Sequence, residues 1–415
     1  MHATTRMILK PRRLLAIVVS LGLVFAGLSL ADPPPHSHGG EDPPPPEPSV
    51  GYVVTWLGTI GGTYKAAHAI NNGGVVVGSG DLGGERHAFR VIPDMNGNGD
   101  LIYYRDDDGD GLNDLLEDLN VLGVWVDHTG NPVAGCTAVS ANDINEHDEI
   151  VGTADCGGQT RVFVFDPNVE PAELILLPPP PELVGAGGDY FGSAINDAGD
   201  IVGFRRAPDI ATSVIFYRCD PELLVLDLGI PLNTQYFPRV DINNRGDFGE
   251  VQIVTGAGFR LTLGLDSSLI DAELFDLLHI YAINDLGTFC GNKEEVGKGK
   301  QKDPGGAFRY SGNPDEELKL LLDTDSSSIG GRGINSDGDV IVSPGWLYHD
   351  SFGLLVLEDL VVNPPKWGPG NERFNPFGMT DRDDATGFPA ICGRGIINGV
   401  TGTYNAWVLT PFNLP

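Results

Sequence analysis

Positive charge is scarce in this sequence: 26 Lys+Arg stand against 57 Asp+Glu, a formal net charge of −31. A surface of that sign repels phosphate backbones and anionic headgroups, which excludes nucleic acid and anionic membranes as partners. Cysteine is limited to five residues, too few for a disulfide scaffold, and no CxxC or Cys/His spacing suggests zinc. Catalytic signatures are missing as well. There is no G-x-S-x-G elbow, no HExxH and no Gly-Lys-Ser/Thr phosphate loop. Beyond Leu14–Leu30 no stretch is apolar enough to span a bilayer. What is abundant is turn chemistry: 57 Gly and 31 Pro make up about a fifth of the 415 residues, against about 12% in average usage. A hydrophobic share of 41% sets the chain apart from disordered acidic proteins.

Residues 1–31 read as a secretory signal peptide. Arg6, Lys10, Arg12 and Arg13 form a basic head, Leu14–Leu30 an apolar run, and Ser29-Leu30-Ala31 a small-residue cleavage site. An uncleaved anchor is the alternative, at the short limit for spanning. Cleavage removes four bases and no acid, taking the net charge from −31 to −35. Residues 32–50, DPPPHSHGGEDPPPPEPSV, have too little apolar surface to fold and form a Pro-rich linker. The folded body is expected over 51–415. Export to the periplasm or medium permits oxidation, and Cys136 with Cys156, flanking a hairpin, is the pair expected to bond.

One pattern recurs along the body: a small or acidic residue, Ile, Asn, two variable residues, Gly, an apolar pair and often Gly. It reads AINNGGVVVG at Ala69–Gly78, DINEHDEIVG at Asp143–Gly152, AINDAGDIVG at Ala194–Gly203 and DINNRGDFGE at Asp241–Glu250. It continues as AINDLGTFCG at Ala282–Gly291 and GINSDGDVIV at Gly333–Val342, with a decayed copy MTDRDDATGF at Met379–Phe388. The Asn side chain can cap a tight turn and the Gly can take its positive φ, so each copy predicts a β-hairpin. Asp148 and Asp384 replace that Gly in the second and last copies, and Asp381 replaces the last Asn. A β-rich aromatic segment follows each hairpin, as in RVFVF at Arg161–Phe165 and NAWVL at Asn405–Leu409. A leucine-rich segment comes next, as in LKLLLD at Leu318–Asp323.

Four short strands per unit, with Asn spacings of 74, 51, 47, 41 and 51 and then 46 to Asp381, match propeller blades. The expectation is an all-β, seven-bladed β-propeller. The last unit stops after its third strand, and Tyr52–Gly58 supplies an orphan strand that closes the ring against Asn405–Leu409. An open array, or six blades plus a damaged one, is the alternative.

The run Leu57–Phe89, LGTIGGTYKAAHAINNGGVVVGSGDLGGERHAF, resembles the HAF-repeat extracellular proteins of bacteria, whose triplet stands here as His87, Ala88 and Phe89. The resemblance extends, with degenerate copies, over about 51–415. It implies an exported repeat protein and no particular activity. His87 itself, unrepeated in later copies, is expected to serve as a structural cap or to make a cross-strand hydrogen bond rather than to act in catalysis.

The long first spacing marks an inserted acidic loop at 93–120. Within it Asp106–Glu117, DDDGDGLNDLLE, fits an EF-hand-type calcium loop. Asp106, Asp108 and Asp110 stand at positions 1, 3 and 5, the Leu112 carbonyl at 7, Asp114 at 9 and Glu117 at 12, with Gly111 at the bend. Alternate carboxylates on a tight turn offer the hard oxygens calcium wants. Asn113 departs from the pattern at position 8, where an apolar anchor is usual, and Leu101–Arg105 reads as a strand where a helix would enter. The alternative is an acidic hairpin without an ion. An upstream echo at Asp94, Asn96, Asn98 and Asp100 ends on Arg105 and lacks the closing acid.

No catalytic residues and no organic cofactor are assigned. The expected function is a secreted, monomeric, non-enzymatic binding or structural protein that presents propeller loops to a protein or glycan, with one calcium site. A carbohydrate-active or phosphate-ester hydrolase is the alternative. Carboxylates and an Arg clustered inside the ring would favour the hydrolase, and a mouth of neutral turn residues the binder.

Overall fold

The computed structural model describes residues 47–414 apart from 59–60, 186, 208–209, 219–222, 232–239, 251–257, 264–268, 276–277, 294–304, 312, 314–315, 324–329, 365–373 and 397–402. The signal-peptide and most of the linker expectations fall on 1–46 and lie outside the described residues.

Each Ile-Asn-x-x-Gly segment closes a hairpin by one set of bonds. Asn71 N–H donates to the Val75 carbonyl, Gly74 N–H returns to the Asn71 carbonyl, and Asn71 Oδ1 accepts Val75 N–H at 2.9 Å. The same three bonds recur at Asn145, Asn196, Asn243, Asn284 and Asn335. The turn needs a left-handed residue at its fourth position. Gly74, Gly199, Gly246, Gly287 and Gly338 take φ of 76 to 84°, and Asp148 takes it at 62°. The decayed copy is corrected in register. Its turn is capped by Asp383, and Gly387 (φ 71°), not position 384, supplies the left-handed residue.

Among the described residues the strands form six four-stranded sheets, one five-stranded sheet and a two-stranded ribbon, in an all-β, propeller-type architecture. Among the described residues helix is confined to single turns such as Leu119–Leu122 and Leu357–Leu360. In the five-stranded sheet Val124–Asp127 runs parallel to Glu173–Leu176 on its outer edge. Sheets pack face to face, so central strands are buried on both sides: Val162, Phe163, Val164 and Phe165 are all in the core. This explains why the third segment of each repeat reads as an apolar run rather than an alternation.

Hydrophobic clusters sit between successive sheets. One joins Ile150, Phe163 and Leu174 to Ala69, Val77 and Leu119. Another joins Cys392, Ala406 and Val408 of the last sheet to Ala67, Ile70, Val76 and Phe89 of the first. The strand Val50–Trp56 pairs antiparallel with Asn405–Asn413, from Val50 opposite Asn413 to Trp56 opposite Trp407. It starts earlier than the sequence suggests, because Val50 is a core residue clustered with Tyr52, Trp407 and Leu409. The Cys136–Cys156 disulfide is formed, linking the open ends of one hairpin. Cys290 and Cys392 are buried, and Cys219 lies outside the described residues.

The turn asparagines do a second job. Each Nδ2 donates to the backbone carbonyl of the next sheet's turn: Asn71 to Asn145, Asn145 to Asn196, Asn196 to Asn243, Asn243 to Asn284 and Asn284 to Asn335, at 2.8 to 3.1 Å. Asn335 donates to the Thr380 carbonyl at 3.1 Å. The residues that follow these asparagines are linked in parallel, from backbone N–H to side-chain oxygen. Glu146 N–H donates to Asp197, Asp197 to Asn244, Asn244 to Asp285 and Ser336 to Asp381. Asp381 N–H donates to Asn72 Oδ1 at 2.8 Å, and Asn72 N–H to Glu146 at 3.1 Å, the first of these bonding residues 309 apart in sequence. Thr380 and Asp381 are placed for this by a bulge between the Met379–Ile391 and Arg382–Pro389 pairs, where two residues stand opposite one.

Candidate functional site: the channel and the acidic loop

The innermost strands carry a shared irregularity. In six of them one extra residue stands where the partner strand offers none: His68, Asn142, Ser193, Tyr281, Arg332 and Phe377. A β-bulge bends its strand and re-aims the extra side chain. All six line a single cavity of about 790 Å³ between the inner strands. The residue opposite the bulge is Gly78, Gly152, Gly203, Gly291 or Gly393 in five of these sheets. A Cβ there would lie 1.7 to 2.2 Å from the carbonyl oxygen of Ala66, Ser140, Phe191, His279 or Asn375. The glycine ending the "apolar pair, then Gly" motif is therefore the counterpart of the bulge that builds the channel.

Charge is unevenly placed around this cavity. Two carboxylates, Asp143 and Asp241, sit two residues before the turn Asn in the second and fourth copies. Asp143 Oδ2 accepts Ile195 N–H at 2.9 Å and Asp241 Oδ2 accepts Ile283 N–H at 2.9 Å, so each ties its sheet to the next. Burial, then the neighbouring charge of Asp241, pushes the Asp143 carboxyl up to about 8. Arg332 and Arg394 lie in the sixth and last sheets. Burial pulls Arg332 below its usual range, Tyr281 opposes this, and the charge of Arg394 adds to it. Arg394 donates to the Tyr64 hydroxyl at 2.8 Å. His68 is held by the Ala141 carbonyl at 2.8 Å. The interior thus holds carboxylates and arginines, and the outer turn residues at one end mix amides with the acids Glu146, Asp197, Asp285 and Asp381, so the turns do not make a neutral mouth.

The acidic loop is built as a tight turn over Gly109 and Gly111, both at positive φ. Asp106 accepts Gly109 and Gly111 N–H groups, Asp108 accepts Asp110 N–H, and Asp110 accepts Leu112 N–H. Ligand oxygens of Asp106, Asp108 and Asp110 lie within 4.8 Å of one another. Asp114 and Glu117 are not in that cluster. Asp114 accepts Asp107 N–H at 2.6 Å, and Glu117, on the strand Leu116–Asp118, pairs with Arg90 at 2.7 Å. Leu112 is exposed at the tip. Asn113 is the loop's anchor in place of an apolar residue. Buried, it donates to the Leu57 and Tyr103 carbonyls and accepts Arg105 and Leu115 N–H groups. In the upstream echo Asp94 pairs with Arg105 and Asn96 with Asp100. His87 makes the expected cross-strand contact, Nδ1 to Asp118 at 2.7 Å.

No family model and no curated protein matches the sequence. Among solved structures the chain is similar to an ancestral GH74 enzyme (12% identity, TM-score 0.38), over 80% of this chain and 55% of that one. It is also similar to a protein of unknown function from Dyadobacter fermentans DSM 18053 (11%, TM-score 0.38; 88% and 99% of the two chains). A third is a triple arginine-to-alanine mutant of AofleA from Arthrobotrys oligospora (7%, TM-score 0.34; 88% and 93%). The chain spans about half the length of the GH74 enzyme, and none of these likenesses bears on activity.

Proposed function

We propose that the protein is an exported, non-enzymatic binding or structural propeller of seven blades. The ring closes through Val50–Trp56, and its rim presents polar turn residues to a protein or glycan partner. The observation that carries this reading is the hydrogen-bonded circuit of turns, which passes from Asp381 back to Asn72 and fixes a polar annulus around one channel mouth. The apolar cluster between last and first sheets supports closure. The basic, apolar leader supports export, and so does the Cys136–Cys156 bond. The hydrolase reading is favoured by one observation, the carboxyl pair Asp143 and Asp241 with its raised member. Against it, both carboxylates are engaged by backbone N–H groups of the next sheet. Incubating the mature protein with an array of soluble glycans should show retention of some without release of shorter products. Product release lost in Asp143→Asn would overturn the binder in favour of the hydrolase.

We further propose calcium in the 106–117 loop, with Asp106, Asp108 and Asp110 as its carboxylate ligands and the Leu112 carbonyl and Asp114 beside them. Glu117 must leave Arg90 to contribute. Three carboxylates this close repel one another unless a cation intervenes. Calorimetry should give one saturable calcium site, abolished by Asp106→Ala with Asp110→Ala. Absence of heat at millimolar calcium would sink this part of the reading.

A further inference from the structure

Two guanidinium groups on the channel wall have no carboxylate partner among the described residues. Arg332, the bulge residue before Asn335, stands 5.6 Å from the centroid of the Tyr281 ring. Arg394 gives one amino group to Tyr64 and lies against the rings of Tyr404, Phe377 and Tyr64 at 4.8, 5.5 and 5.7 Å. Its Nε is buried and unpartnered. Elsewhere Arg90, Arg218, Arg309 and Arg382 each pair with an acid. In a chain with 57 acids to 26 bases, two arginines left without an acid in one cavity are costly. Their like charges act on each other across a partly desolvated space, where repulsion is stronger than in water.

We infer that the channel binds a small oxyanion-bearing sugar, a sugar acid or sugar phosphate, with its anionic group held between Arg332 and Arg394. A planar guanidinium offers paired donors that match carboxylate and phosphate oxygens. Tyr281 and Phe377 flank that anchor with apolar faces, and Ser193 supplies a hydroxyl from another sheet. About 790 Å³ is the size of a small-molecule pocket. The acidic arc does not forbid an anion. Both Asp143 and Asp241 are bonded to backbone N–H groups, and Asp143 holds its proton at neutral pH. This site lies inside the ring and stands or falls separately from the rim reading.

The test is calorimetry of the mature protein at low salt with glucuronate, glucose 6-phosphate and glucose. At least one anion should bind with 1:1 stoichiometry, and glucose at least about tenfold more weakly. The tighter anion tells carboxylate from phosphate recognition. Arg332→Gln and Arg394→Gln should each weaken the anion by about tenfold or more, and Arg332→Lys by less, since it keeps the charge without the fork. Glucose binding as tightly as the anions, no heat from either anion at millimolar concentration, or full affinity in Arg332→Gln would overturn the inference. If the glutamine variants fail to fold, the three-probe comparison on the unaltered protein decides.

Discussion

Asn196→Ala should destabilise the protein by about 3 kcal/mol, as three hydrogen bonds are lost in a buried turn. Oδ1 of this residue accepts the N–H groups of Ala198 and Asp200, and its Nδ2 donates to the Asn243 carbonyl at 3.0 Å. The residue is 4% exposed, so water cannot replace these partners fully. At roughly 2 °C per kcal/mol for a body of this size, the melting temperature should fall by about 6 °C. Asn196→Asp keeps the acceptors but sets a carboxylate against the Asn243 carbonyl, and should fall between alanine and the unaltered protein. Asn244→Ala, on the exposed outer chain, should cost less than about 1 kcal/mol. Thermal melts of these three variants check the ordering; equal losses at Asn196 and Asn244 would mean that the buried chain is decorative.

The turns are legible in the sequence because they are local. Asn71 and Gly74 lie within one turn, and the chemistry of each declares its part. The second job of Asn71, bonding to the carbonyl of Asn145, joins positions 74 apart and leaves only repetition as its trace. The channel residues are hidden for a similar reason. His68, Ser193, Tyr281 and Arg332 differ in every property, and only their shared place, three before the turn Asn, marks them. The glycine opposite the bulge is a readable signal: Gly152 admits no Cβ beside the Ser140 carbonyl and the Phe163 ring. In the last copy the motif misleads. The polar run from Thr380 to Asp384 conceals a bulge that shifts the cap from Asp381 to Asp383. The strand Val124–Asp127 leaves no local mark because its partner, Glu173–Leu176, lies far along the chain. In the acidic loop the alternating aspartates are plain. That Asn113 anchors by hydrogen bonds, and that Glu117 is tied to Arg90, depends on neighbours outside the motif.

The largest expected effect is loss of the amino-terminal strand. Val50 and Tyr52 are core residues with Trp407 and Leu409, and the Tyr52 hydroxyl donates to the Pro389 carbonyl at 2.9 Å. Leu57, fully buried, donates its N–H to the Ala406 carbonyl. Removing a large buried side chain costs about 2–5 kcal/mol, and several go together here, against a total stability of about 5–15 kcal/mol. The exposed edge of Asn405–Asn413 would also invite pairing between molecules. The segment before the strand, residues 32–46, is by composition too poor in apolar side chains to add to that core.

Thermal melts of two truncated forms of the mature protein, one lacking 32–46 and one lacking 32–57, test the closed ring most directly. A ring latched by Val50–Trp56 predicts an unchanged melting temperature for the first, and for the second aggregation or the loss of a cooperative transition. If the form lacking 32–57 melts like the full mature protein, closure by Val50–Trp56 is contradicted.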